Sequence, residues 1–234
     1  MTTENSSRIE RVRIKGILFD MDGVLVSSIG SVERSWTKWA TEVGLDPAEA
    51  IAKAHGRRSI DSVRAMRPDL DAEAENQKIE DWEVEDREGV EQLAGVGALI
   101  EQLPATSWTV VTSATKRLAL ARLGAAGIAP PAKFISGDEV TKGKPDPEPY
   151  RKGAELLGFE PGDCLVIEDA VSGATAGRAA GCKVLATTLS HSIESLIAAD
   201  WIVETLEGIQ VTVLPGAEGM ELTFQSLPRP AQAT

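Results

Sequence analysis

The sequence predicts a doubly wound α/β fold, a parallel sheet with helices on both faces, carrying a small helical domain inserted after the first strand. Two patterns predict it. Short apolar runs that stop at polar residues alternate with helical patterns through the second half of the chain, which is how βαβ units read. From about Ser31 to Glu91 that rhythm breaks and only helical patterns remain. The chain has 234 residues, 42% of them hydrophobic, enough to bury a sizeable core. Only 4% are aromatic, so that core rests on Val, Leu, Ile and Ala.

Ile14–Phe19 opens the pattern as a short apolar run ending at acids, suited to a buried parallel strand. Further strands are expected at Trp108–Thr112, Lys133–Ser136, Cys164–Ile167 and Lys183–Thr187. Helices are expected at Thr115–Gly127, Pro147–Gly158 and Ala170–Ala180, with Gly127, Gly158 and Gly181 placed where a helix should stop. In the insertion, helices are expected at Val32–Val43, Pro47–His55, Ser59–Met66 and Ala72–Arg87, with linkers near Ser27–Gly30 and Gly89–Gly95. The expected division is therefore residues 1–28 and 93–234 as the core and residues 29–92 as the helical insertion. After Trp201 the pattern changes to a β-hairpin, Gln210–Leu214 and Glu221–Phe224. The tail Ser226–Thr234 has little to bury and is expected to fray.

The formal net charge of −12 argues against nucleic acid or an anionic membrane surface as partner. Much of the excess lies in Asp71–Glu91, where acids alternate with Ala, Ile, Trp82 and Val84, the pattern of a solvated helix face. Cys164 and Cys182 are too few for a disulfide framework, and no base is visible beside either to make it a nucleophile. Two histidines, His55 and His191, exclude a zinc site built from several imidazoles. The first residues show no secretory signal, and no apolar run has the length to cross a bilayer, so a cytoplasmic protein is expected.

Asp20 and Asp22 flank Met21 directly after the first strand, and Gly23 follows. Ligands of a doubly wound sheet bind outside the carboxyl ends of its strands. Two carboxylates this close repel unless a cation lies between them, and Mg²⁺ takes oxygen ligands. An acidic turn would use the same residues. Ser113 ends another strand where Ala114 and Thr115 open a helix; this is either an anion site or a helix cap. Lys144 is held between Gly143 and Pro145, able to meet a phosphate or simply solvated. Glu168 and Asp169 again place paired acids at a strand end, where Asp169 could also serve as a cap.

In combination these segments are far more specific than apart. FDMDGVLVSS (Phe19–Ser28), VVTSAT (Val110–Thr115), GKPDPEPY (Gly143–Tyr150) and IEDAVSG (Ile167–Gly173) resemble, in order, the four motifs of the haloacid dehalogenase superfamily of phosphohydrolases. The resemblance is to the branch with a helical cap inserted after the first motif, and it covers nearly the whole chain. It implies that Asp20 is the nucleophile forming an aspartyl phosphate and Asp22 the general acid/base. It implies that Mg²⁺ is held by the Asp20 carboxylate, the Asp22 backbone carbonyl and the Asp169 carboxylate, with Glu168 acting through a metal-bound water. Ser113 (rather than Thr112), the Ala114 N–H and Lys144 would hold the phosphoryl oxygens.

Asp22 fits phosphatases and phosphomutases; the dehalogenases lack that acid. Ser27 stands where many capped relatives carry Asp, which weakens placement among the mutases. The finer resemblance is to glycerol-3-phosphate and 2-deoxyglucose-6-phosphate phosphatases, whose HG-x-R element maps onto His55, Gly56 and Arg58. Arg58 would then reach from the cap to the substrate, or else pair with the acidic cap surface; Arg57 is expected at the surface. Trp36 and Trp39 are expected in the core of the insertion, the alternative being that one of them edges the substrate pocket. Gly95-Val96-Gly97 lacks the third glycine of a nucleotide loop, and nothing is assigned to His191.

The expected protein is a monomeric, Mg²⁺-dependent phosphatase for a small phosphorylated sugar or polyol. The alternatives are a β-phosphoglucomutase-like phosphotransferase and a non-enzymatic phospho-acceptor resembling a response-regulator receiver.

Overall fold

The computed structural model describes residues 8–216 and 218–228. The chain opens on β1 (Arg8–Ile14), in which Val12 and Ile14 are buried while Arg11 and Arg13 are exposed, the alternation of a strand with one wet face. It pairs antiparallel with a strand from the other end of the chain. The expected single strand Ile14–Phe19 is thus two elements. Lys15 turns outward, with its Nζ 2.8 Å from Asp163, and β2 (Gly16–Phe19) begins after it. The alternation of charged and apolar residues over Arg11–Ile14 is the short local signal of the first strand.

β2 is buried throughout. Beyond it come β3 (Val26–Ser27), then α1 (Ile29–Glu42), α2 (Pro47–Ala54), α3 (Ser59–Met66) and α4 (Ala72–Glu85). Asp46 and Asp71 cap α2 and α4 by accepting from the amides of Glu49 and Ala74. These helices share a core of Trp36, Trp39, Ala50, Val63 and Ile79, the two indoles meeting edge to face at 5.3 Å. The chain returns through β4 (Glu91–Gln92), paired antiparallel with β3.

α5 (Val96–Ile100) starts at Gly95, where no helix is expected from sequence. Then follow β5 (Trp108–Val110), α6 (Lys116–Ala125), α7 (Glu148–Leu157), β6 (Cys164–Glu168), α8 (Val171–Ala180), β7 (Lys183–Thr187) and β8 (Trp201–Val203). The main sheet is parallel with order β5-β2-β6-β7-β8. Side chains alternate across it: Ile17 and Phe19 join one core cluster with Val110 and Leu123, and Leu18 joins another with Tyr150 and Ala174. The chain runs from β2 to β5 on one side and then crosses from β5 to β6 on the other side of β2, so a switch point lies at the carboxyl end of β2.

Lys133–Ser136 forms no strand: only a bridge between Ile135 and Val111 is present, and Ser136 instead caps a short turn by bonding Glu139. Two apolar residues, Phe134 and Ile135, are too few to extend a ladder. Trp201 belongs to the sheet as the start of its fifth strand. The hairpin expected after it is present as β9 (Gln210–Val213) and β10 (Met220–Ser226), which pair with each other and, through β10, with β1. Ser226 is therefore the end of a strand, its hydroxyl donating to the Arg8 carbonyl at 3.3 Å, while 229–234 of the expected fraying tail lie outside the described residues. Among the described residues no helix is long and apolar enough to cross a membrane.

Candidate active site

Three strand ends and one loop bring the motif residues together. Asp20 leaves β2 with its amide on the Ile167 carbonyl at 2.9 Å, and the turn after it closes through Leu25 and Val26 amides on the Met21 carbonyl. Gly23 has φ +78°, and a Cβ there would lie 1.9 Å from Asp169 Oδ2. Only glycine lets this turn approach the end of β6. Glu168 and Asp169 end that strand, and Lys144 arrives on the loop before α7, ahead of a cis bond to Pro145.

Asp20, Glu168 and Asp169 are buried and each can place an oxygen within 4.8 Å of the others. Lys144, also buried, has Nζ 2.8 Å from Asp20 Oδ1 and 2.7 Å from Glu168 Oε1. Tyr150 donates its hydroxyl to Glu168 Oε1 at 2.7 Å, and the amides of Asp169 and Ala170 donate to Oε2 at 2.9 and 3.0 Å. Glu168 therefore has both oxygens engaged. Burial alone would push its carboxyl up, but the Lys144 charge and these donors outweigh burial and hold it below its usual value. Asp20 goes the other way: burial, then repulsion by Glu168, push its carboxyl well up despite Lys144. Asp169 is raised as well, first by burial, with His55 opposing. Three buried carboxylates against one buried ammonium leave negative charge that the protein alone does not balance. The donors are oxygens in a close cluster, the chemistry that a hard dication requires. This buried acidic cluster could hold a metal ion.

Asp22 faces the same cavity. Ser28 donates to its Oδ1 at 2.6 Å and Arg122 Nη1 to its Oδ2 at 2.8 Å. Ser113 also lines the cavity, with its hydroxyl 3.4 Å from the Gly56 carbonyl, while the Ala114 amide donates to Thr112 Oγ1 at 3.1 Å. Thr115, not Ser113, caps α6. His55 reaches the site from the end of α2: Nε2 lies 3.9 Å from Asp169 Oδ2, and that carboxylate raises the imidazole above its ordinary value. Ser190 donates to the same Asp169 oxygen, and His191 packs edge-on against His55 at 5.1 Å.

Arg58 is a correction. It does not face the cavity. Its guanidinium spans from Asp61 (Nε–Oδ2 2.7 Å) to the carbonyls of Val140 at 2.8 Å, Thr141 at 3.1 Å and Gly137 at 3.3 Å. It neither reaches the substrate space nor merely decorates an acidic surface; it ties the helical segment to the sheet's loops. Arg57, expected at the surface, is exposed yet edges the cavity mouth. Trp36 is both core and cavity wall.

The acids of the run Asp71–Glu91 are exposed or half-buried as expected except at two positions, which are a second correction. Glu80 and Glu83 are buried, Glu80 accepting from the Thr115 hydroxyl at 2.7 Å and Glu83 facing Arg122 across the cavity. Burial pushes the Glu83 carboxyl up to about 7, against the pull of Arg122. Sequence reasoning missed Arg122, Glu83, Ser28, Tyr150 and Ser190. A signal exists for two of them. Arg122 follows Leu118 and Ala119 at helical spacing on the buried face of α6, and Glu83 follows Ile79 by four on α4.

Comparison with known proteins agrees with this geometry. A family model described as haloacid dehalogenase-like hydrolase matches residues 14–181. Hexitol phosphatase A of Escherichia coli is 40% identical over 88% of this chain and 98% of that one. Glycerol-1-phosphate phosphohydrolase 2 of Saccharomyces cerevisiae is 32% identical, covering 86% of each. The yeast 2-deoxyglucose-6-phosphate phosphatase 1 is 31% identical over 83% of this chain and 89% of that one. Among solved structures, a hydrolase from Pseudomonas syringae superposes with a TM-score of 0.74 at 24% identity, over 82% of this chain and 94% of that one. A β-phosphoglucomutase from Clostridium difficile gives 0.71 at 20% identity, over 84% and 93%. Those two likenesses speak for the fold; the sequence match across most of the chain places this protein in the family of haloacid dehalogenase-like hydrolases.

Proposed function

We propose that this chain is a Mg²⁺-dependent phosphomonoesterase that hydrolyses small sugar or polyol phosphates through an aspartyl phosphate on Asp20. The observation that carries this reading is the buried Asp20–Lys144–Glu168–Asp169 cluster at the switch point, with Asp22 beside it in one cavity. The relatives' names, all phosphatases of such esters, support the substrate class.

In the first step an Asp20 oxygen attacks phosphorus, the ester P–O bond breaks, and Asp22 gives a proton to the departing alcohol. In the second, water attacks phosphorus while Asp22 takes its proton, and the Asp20–phosphorus bond breaks to release phosphate. Ser113, the Ala114 amide and Lys144 hold the phosphoryl oxygens; the amide must leave Thr112 Oγ1 or share itself to do so. The residues that would hold Mg²⁺ are Asp20, Asp169 and the Asp22 carbonyl, and the ion would supply charge to the phosphoryl oxygens. Glu168, saturated by its four donors, acts by holding Lys144 and the Asp169 amide in place.

Residues 29–92 form the cap in this reading and residues 1–28 with 93–234 the core. His55 enters from the cap onto Asp169. The two free cysteines, both buried, fit a reducing cytoplasm, and the reading is of a monomer.

The test is a phosphate-release screen over glycerol phosphates, hexose and hexitol phosphates, 2-deoxyglucose 6-phosphate and nucleotides. Turnover is expected on sugar or polyol esters, abolished by EDTA and restored by Mg²⁺. Asp20→Asn is expected to lower kcat by roughly a thousandfold or more without unfolding the chain. Full activity after rigorous chelation, or in that variant, overturns the mechanism. Glucose 6-phosphate formed from β-glucose 1-phosphate in place of free phosphate would make it a mutase instead.

A further inference from the structure

We propose that Arg122 and Glu83 together read a hydroxyl of the substrate's carbon chain close to the ester oxygen, so that the site selects polyol-type esters over esters without hydroxyls. This rests on the phosphatase reading above and deepens it. Arg122 comes from α6 of the core and Glu83 from α4 across the cavity, and both line the space that contains Asp20. Each side chain is only 5% exposed. Arg122 Nη1 is committed to Asp22. Among the described residues its Nε and Nη2 have no hydrogen-bond partner. Nη2 lies 3.4 Å from Glu83 Oε2, close enough for attraction but not placed as a bond.

Two buried guanidinium nitrogens without a hydrogen-bond partner are rare and call for water or a ligand to complete them. Arg offers only donors and the Glu83 carboxyl, ionised or not, at least one acceptor oxygen, so a hydroxyl, which both accepts and donates, satisfies the two at once. A substrate carboxylate would meet Arg122 but would be pressed against Glu83 and Asp22, so the pair favours a neutral chain. Ile29, Val32 and Trp36 line the same cavity and suit the C–H side of that chain. Because Arg122 already touches Asp22, the hydroxyl it meets lies near the bond being cleaved.

The test compares matched esters: glycerol phosphate with propyl phosphate, and hexitol phosphate with hexyl phosphate. The readout is the ratio of kcat/KM for phosphate release within each pair, which cancels any loss shared through Asp22. The wild-type chain is expected to favour the polyol member at least tenfold. Glu83→Gln is expected to shrink that ratio about tenfold, which is about 1.4 kcal/mol. The double change Arg122→Met with Glu83→Leu removes both charges together, so it leaves neither charge of the pair buried alone, and is expected to abolish the preference. An unchanged ratio in either folded variant overturns the proposal. So does a wild-type preference for 3-phosphoglycerate over glycerol phosphate, which would mean that Arg122 takes an anion. Release of phosphate from none of these esters would overturn the phosphatase reading itself.

Discussion

Glu148, at the start of α7, accepts from the amides of Thr141 and Lys142 at 2.8 and 2.9 Å, with Lys152 Nζ 3.0 Å away. The Thr141 and Lys142 amides, then Lys152, hold its carboxyl down at about 2. A depressed value means that this stabilisation is present above the ordinary 4.5 and is lost as pH falls toward 2. Glu148→Gln keeps one acceptor and loses the charge, so it should cost about 1 kcal/mol at neutral pH. Urea unfolding at a series of pH values should show the gap to wild type closing below pH 4.5. A gap that stays constant down to pH 3 would contradict the assignment. The consequence is more than local, since this carboxylate ties the loop that delivers Lys144.

Two helices show how tightly the elements are specified near the site and how loosely away from it. A Cβ at Gly173, in the first turn of α8, would fall 1.6 Å from Glu168 Oε1. Gly173→Ala should therefore displace Glu168 and destabilise the fold by about 3 kcal/mol or more. Gly124, inside α6, has nothing within 4 Å of that position, and Gly124→Ala should stabilise by about 0.5–1 kcal/mol. Thermal unfolding of the pair checks both signs; a harmless Gly173→Ala would show that Glu168 is not fixed as described. The same elements show what could be read from sequence. Asp20, Asp22, Glu168 and Asp169 are legible because each pair of acids falls within three positions at a strand end, and a strand's carboxyl end has one location. Lys144 was legible because Gly143 and Pro145 bracket it. For Arg122 and Glu83 helical spacing places each on a buried face, but only packing decides that the face meets a cavity. β1 is hard to foresee because its pairing partner, β10, lies more than two hundred positions away and only the short alternation at its end marks it locally.

At the scale of the molecule, the helical segment is held over the sheet by few but specific ties. Arg58 reaches three carbonyls of the 137–141 loop, Glu80 meets Thr115, Arg117 meets Asp81 at 2.5 Å, and the Gly56 carbonyl accepts from Ser172 at 2.9 Å. Arg58→Ala should loosen this arrangement: amide hydrogen exchange in 137–141 should quicken, and kcat/KM for polyol phosphates should fall roughly tenfold through poorer closure. Unchanged exchange would show that the arginine is dispensable. The ladder between β3 and β4 joins the two linkers of that segment. The outgoing and returning chains are zipped to one another, Val26 to Gln92 and Ser27 to Glu91, and Leu93 extends the ladder onto the Leu25 carbonyl at 3.0 Å. A ribbon of two joined strands flexes readily about one axis and resists twisting about the other. Were residues 29–92 to act as the proposed lid, a flat hinge of this kind would let it swing away from Asp20 and return along the same arc, carrying His55 and Glu83 back to the same places.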